Sequence, residues 1–190
     1  SNSQSLRRSN AYGVQATHLP YFFRKDAPPE KTARQDSPCP CALGNIYQAL
    51  TAAGLDVDAK LPWAREWFLK YQMPDGGLSC DEDAYGADPG ASSIVGTIAP
   101  LEAILCTPDK LTPREIAFLD RGAQCLIRRE LRLGSASTHN AAERLDEGDW
   151  LKPCFPRVYL YDVLRGLSCV LRWAETLDRP LPESSIMQVV

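Results

Sequence analysis

Cys80, Asp81, Glu82 and Asp83 put one thiol and three carboxylates in four consecutive residues, directly after the turn-forming run Pro74-Asp75-Gly76-Gly77. A carboxylic acid held protonated by an apolar surround can act as a general acid, and Asp81, Glu82 and Asp83 are the candidates for that role. A solvated acidic loop would have the same sequence. Cys41 and Cys80 with His139 form a candidate zinc set, and Cys39, Asp81 and Asp162 are further donors, because thiolate, imidazole and carboxylate all suit that ion. Cys39-Pro40-Cys41 lacks the two-residue gap of common zinc knuckles, so the fold has to supply the convergence. Ordinary buried or turn cysteines are the plain alternative. Asp162 and Arg165, at i and i+3, can pair with each other and orient a polar ligand head, or lie on a solvated face as a surface pair. Neither His18 nor His139 stands in a recognisable local context for cysteine catalysis, and no phosphate-cradling glycine loop, Ser/His/Asp set or dinucleotide fingerprint is present.

The elements that must position these residues read as helices. Leu43, Ile46, Tyr47, Leu50 and Ala53 recur at helical spacing, and Gly54 supplies a stop. Ala64, Trp67, Phe68 and Tyr71 repeat the pattern until Pro74 and the glycine turn, so the two helices are expected to form a hairpin. A third helix runs through Ile94, Ile98, Leu101 and Leu105, capped by Ser92 or Ser93 and kinked at Pro100. Thr112-Pro113-Arg114-Glu115 is a capping box with proline at the first helical position, opening a fourth helix that extends to Gly134. Residues 135–156 have no sustained period, as a functional or disordered loop would. A fifth helix carries an apolar stripe of Leu160, Val163, Leu164, Leu167, Val170, Leu171 and Ala174, with Asp162, Arg165, Cys169 and Arg172 on the opposite face. One more short helix is expected after Pro182. No strand is expected, so the fold class is all-α, built from antiparallel hairpins over residues 38–190, behind an irregular arm over 1–37 pinned by Leu19-Pro20-Tyr21-Phe22-Phe23.

A chain of 190 residues suits one domain with a substantial core. Its net charge of −3 and pI near 5.4 leave no basic surface for tracking phosphates, which argues against nucleic acid. Charged residues interrupt every apolar segment before membrane-spanning length, so no span is expected. Seven cysteines are an odd number, and Cys106, Cys125 and Cys169 fall in apolar helical patterns, which suits a reduced, cytoplasmic setting. The first residue is Ser1, so an earlier processed leader stays open.

Trp67-Phe68-Leu69 followed by Gln72-Met73-Pro74-Asp75-Gly76-Gly77 resembles the glutamine/glycine-turn repeat of the squalene/terpene-cyclase and protein-prenyltransferase superfamily, whose members are α/α toroids. Cys41-Ala42-Leu43-Gly44, Asp75 to Cys80, Ser92-Ser93 with Thr97, Leu101 to Ile104, Phe155-Pro156-Arg157 and Tyr161 to Leu167 resemble, in order, a bacterial prenyltransferase-like group of toroid proteins. The resemblance spans about Cys41 to Leu171. It implies that the hairpins form part of an α/α toroid and that the protein binds, and can transform, an apolar isoprenoid-like small molecule. A terpene-cyclase-like acid among Asp81, Glu82 and Asp83, or a prenyltransferase-like zinc, would supply the chemistry, with Cys80, Asp81 and Asp162 nearest the site. Leu78 stands where the repeat usually has tryptophan, and Leu160 where related proteins often have histidine. Five helices fill only part of a toroid. An open arc, completed by a second copy as a homo-oligomer, or a non-catalytic protein-interaction module is therefore the alternative to an enzyme.

Overall fold

The third expected helix is the centre of the molecule. Ile-Val-Gly-Thr-Ile-Ala-Pro-Leu-Glu-Ala-Ile-Leu is apolar nearly all round, and a helix of that kind is stable only when surrounded. The computed structural model, which describes residues 25–26, 39–86, 91–135, 141–146, 148–157 and 160–183, buries ten of its twelve residues. In chain order the α-helices are α1 (Pro40–Ala52), α2 (Val57–Lys60), α3 (Ala64–Lys70), α4 (Ile94–Leu105), α5 (Pro113–Arg128), α6 (Ala141–Asp146) and α7 (Val163–Leu177). Among the described residues two 3₁₀ turns occupy Glu82–Tyr85 and Pro108–Lys110. Among the described residues there are no β-strands, only an isolated antiparallel bridge between Leu78 and Ser93. The protein is all-α, and among the described residues no helix is long and apolar enough to cross a membrane. The N-terminal arm with His18 and the Leu19–Phe23 cluster lies outside the described residues apart from 25–26, as does the tail beyond Glu183.

Helix α1 packs most extensively on α4, whereas the sequence paired it with α3. Gly44 makes the closeness possible: a β-carbon there would stand 2.5 Å from the Ala99 carbonyl carbon and 2.7 Å from the Pro100 nitrogen. Helix α4 also packs on α5 and α7, and runs through Pro100 without interruption. Ser93 caps it by accepting the Gly96 N–H at 2.9 Å. Helix α5 begins as expected, with the reciprocal Thr112/Glu115 capping box behind Pro113. Burial alone would raise the Glu115 carboxyl. The hydrogen bond from Arg65 and those from Thr112 outweigh it and hold the group below its ordinary value. The helix stops at Arg128 rather than Gly134, because Glu130 and Leu131 take positive φ angles of 51° and 58°.

The faces of α7 differ from the expected stripe. Val163, Val170 and Ala174 are buried, but Leu164 and Leu171 are 42% and 38% exposed, while Asp162, Arg165 and Cys169 are buried. Gly166 lets Tyr161 lie against the helix, and the Tyr161 hydroxyl donates to the Leu131 carbonyl, fixing that rotation.

The segment without a sustained period contains α6, whose Glu143 accepts the N–H groups of Val95 at 3.2 Å and Ser135 at 3.3 Å, with Arg129 at 3.7 Å. Burial pushes this carboxyl up to about 7, against the opposing pull of the Val95 N–H, Arg129 and Ser135. Between its ordinary value near 4.5 and about 7 the folded chain therefore holds a proton that the unfolded chain has lost. Stability falls as pH rises through that window and is level in this respect outside it. Urea unfolding at pH 5 and pH 8 should show a drop of at most about 3 kcal/mol from this residue. Glu143→Gln should remove that part of the drop, and an unchanged pH dependence in the variant would assign the titration elsewhere.

Candidate metal centre

Two cysteines flank the first residue of α1. Cys39 is the residue before the helix, where Ser, Thr, Asp or Asn would ordinarily cap; its backbone is extended, with no side-chain cap hydrogen bond, and Pro40 takes the first helical position. The thiols of Cys39 and Cys41 therefore stand at the positive end of a 13-residue helix with no acidic residue in its first turn.

Cys80 arrives from the other side, through the glycine turn. Met73 donates to the Gly77 carbonyl at 2.8 Å and Gly76 to the Met73 carbonyl at 2.9 Å. Gln72 Nε2 holds the turn from outside, donating to the carbonyls of Gly76 and Phe118. Asp75 accepts the Gly77 N–H and both the N–H and the hydroxyl of Ser92. Leu78 then bridges to Ser93 and gives its N–H to Thr97 Oγ1, which lays the chain along the start of α4. At Gly96 a β-carbon would come to 2.7 Å from the Leu78 carbonyl oxygen and 3.0 Å from the Cys80 nitrogen. Helix α4 thus receives α1 over Ala99 and the Cys80 strand over Gly96, one turn apart. That double close approach sets the distance between the two cysteine segments.

The sulfur atoms of Cys39, Cys41 and Cys80 all lie within 4.8 Å of one another, and those of Cys39 and Cys41 are 3.1 Å apart. Cys39 is buried and the other two are partly exposed. Contact with Cys39 pushes the Cys41 thiol up, its hydrogen bond with Cys80 works the other way, and burial adds to the rise. The Cys80 thiol goes up through its contacts with Cys39 and Cys41 and through burial. A divalent cation among three such sulfurs reverses that preference, since it binds them as thiolates and displaces their protons.

Comparison with known proteins yields no significant match. No family model matches the chain, and no curated protein or solved structure matches it significantly.

The other candidates are used structurally. Asp81 accepts the Asp83 N–H at 3.0 Å and so caps the 3₁₀ turn, and Asp83 is exposed. Asp162 caps α7, accepting the N–H of Arg165 at 2.8 Å and that of Cys154 at 3.2 Å, with Arg157 at 3.5 Å. The pair expected between Asp162 and Arg165 is replaced by this backbone contact. The Arg165 guanidinium is turned instead to Glu102 on α4, Asn45 on α1 and the Leu160 carbonyl. His139 lies outside the described residues, so the ligand set among them is Cys41 and Cys80 with Cys39. The sequence does carry one sign of Cys39: a cysteine where a helix beginning at Pro40 should have an oxygen-bearing cap.

Proposed function

We propose that this chain is a zinc-binding helical protein whose metal is held by Cys39, Cys41 and Cys80. The convergence of three sulfurs from two chain segments supports this reading. Tetrahedral zinc with sulfur at 2.3 Å needs thiolates about 3.8 Å apart, a spacing compatible with the trio. A [4Fe–4S] cluster, whose cysteines bind separate irons, spreads its ligands farther. Soft thiolate donors suit zinc, the helix terminus favours their charge, and the partly exposed side at Cys41 and Cys80 admits a fourth ligand.

The wider reading, a terpene-cyclase- or prenyltransferase-like protein on an α/α-toroid plan that binds an apolar isoprenoid-like ligand, is supported by the ordered motif resemblance. Within it, metal binding fits the geometry better than olefin protonation. Asp162 is committed to two backbone N–H groups, Asp81 to one, and Asp83 faces solvent.

Elemental analysis of the reduced, full-length protein should give stoichiometric zinc. Cobalt substituted for it should show intense sulfur-to-metal absorption that weakens stepwise in Cys41→Ser and Cys80→Ser. Each of these variants should lose more affinity than the roughly 10–100-fold that removing a hydrogen-bond partner of a metal ligand costs. Cys106→Ser should bind as the parent does. A reduced protein that takes up no stoichiometric zinc or cobalt would end the reading.

A further inference from the structure

Cys39 and Cys41 differ from the third sulfur in standing on one chain segment, 3.1 Å apart across a single proline. They also differ in access as residues: Cys39 is buried and Cys41 is half-buried. A nucleophilic thiolate facing solvent, with a second sulfur in contact, is the arrangement in which a peroxide oxidises one sulfur and the neighbour resolves it. Cys80 touches both sulfurs but comes from a separate chain segment, so the chain itself holds together only Cys39 and Cys41.

We propose that Cys39 and Cys41 form a peroxide-responsive dithiol whose oxidation to a disulfide releases the metal; this rests on the zinc reading of the same site. Cys41 thiolate attacks one oxygen of the peroxide, the O–O bond breaks, and hydroxide leaves and is protonated to water. The resulting Cys41 sulfenic acid is attacked at sulfur by the Cys39 thiolate, forming the S–S bond and expelling a second hydroxide, again protonated to water. Two thiolates are oxidised by two electrons, and one hydrogen peroxide is reduced to two waters. The metal loses two of its three thiolates and departs, and Cys80 returns to a thiol. A dithiol reductant restores the set. Loss of the metal unfastens the start of α1 from the Cys80 segment, so the response is local to the seam between α1 and α4.

The test uses full-length zinc-loaded protein, hydrogen peroxide and a chromophoric chelator. Zinc should leave in proportion to a disulfide mapped to the peptide that carries both Cys39 and Cys41, with Cys80 still alkylatable, and should rebind after reduction. Cys39→Ser should trap a dimedone-reactive sulfenic acid at Cys41, and Cys41→Ser should form no disulfide with Cys39. Cys80→Ser should still form the Cys39–Cys41 disulfide although its zinc affinity is reduced, which separates the dithiol from the metal set. A bridge that includes Cys80, or zinc release without a Cys39–Cys41 bridge, would overturn the proposal and leave zinc binding standing. If the reduced chain binds no zinc, both the zinc reading and the release step fall. The apo protein then reports independently whether the dithiol forms.

Discussion

Arg165→Met should lower the stability of the protein by about 3–5 kcal/mol, the range for removing one partner of a buried ion pair. The guanidinium and the Glu102 carboxylate are 7% and 13% exposed, and the pair is bidentate, with Nε and Nη2 both reaching the carboxylate. Removal leaves Glu102 charged in a poorly solvated place, deprives Asn45 Oδ1 of a 2.9 Å hydrogen bond and strips the Leu160 carbonyl of its donor. Three helices lose a common tie, since Asn45 is on α1, Glu102 on α4 and Arg165 on α7. Most of the cost comes from the stranded carboxylate, so Arg165→Met with Glu102→Leu should recover a large part of it, as replacing both partners of a buried pair by apolar groups often does. Chemical unfolding of the two variants and the parent decides the matter. A loss below about 1 kcal/mol in the single variant, the range of surface pairs, would return Arg165 to the role of an orienting residue.

That pair also shows where the sequence stops being informative. The capping box of α5 was readable in full because its two partners are three residues apart and make only local bonds. Ser93 at the start of α4 and the left-handed Gly54 after α1 were readable for the same reason. The buried face of α7 was not. Its leucines outweigh its small residues on any hydropathy pattern, yet Gly166 and Cys169 face inward because Tyr161 needs room and Arg165 needs Glu102, a residue 63 positions away. The cysteine cluster had the same difficulty. Cys41 and Cys80 were recognisable as donors, but their meeting depends on where Gly44 and Gly96 let two segments touch α4, which no local spacing encodes. Asp81 and Asp162 looked like site residues because a carboxylate beside a turn or a helix start has the same sequence whether it serves chemistry or caps backbone N–H groups.

Gly76→Ala should be as damaging as Arg165→Met, and its effect should reach the metal. Gly76 has φ +96°, where an L side chain costs about 1–2 kcal/mol. Its missing β-carbon points at the backbone of Arg121 on α5, with the Arg121 carbonyl carbon 2.9 Å away and the carbonyl oxygen closer still, so the turn has to shift at a further cost of about 1–3 kcal/mol. Together these give about 2–5 kcal/mol. Gly54→Ala is the matched control: its φ is +78°, but nothing lies within 4 Å of the added carbon, so it should show only the backbone part. The same shift displaces the segment that runs from the turn through Leu78 to Cys80, because the Gly76 N–H and carbonyl are both bonded within the turn, to Met73 and Gln72. Zinc affinity should consequently fall in Gly76→Ala and hold in Gly54→Ala, as read by competition with a chromophoric chelator on folded protein. Equal zinc affinity in the two variants would mean that the glycine turn secures the fold without placing Cys80. The trio would then owe its geometry to the packing of the Cys80 segment on Gly96 alone.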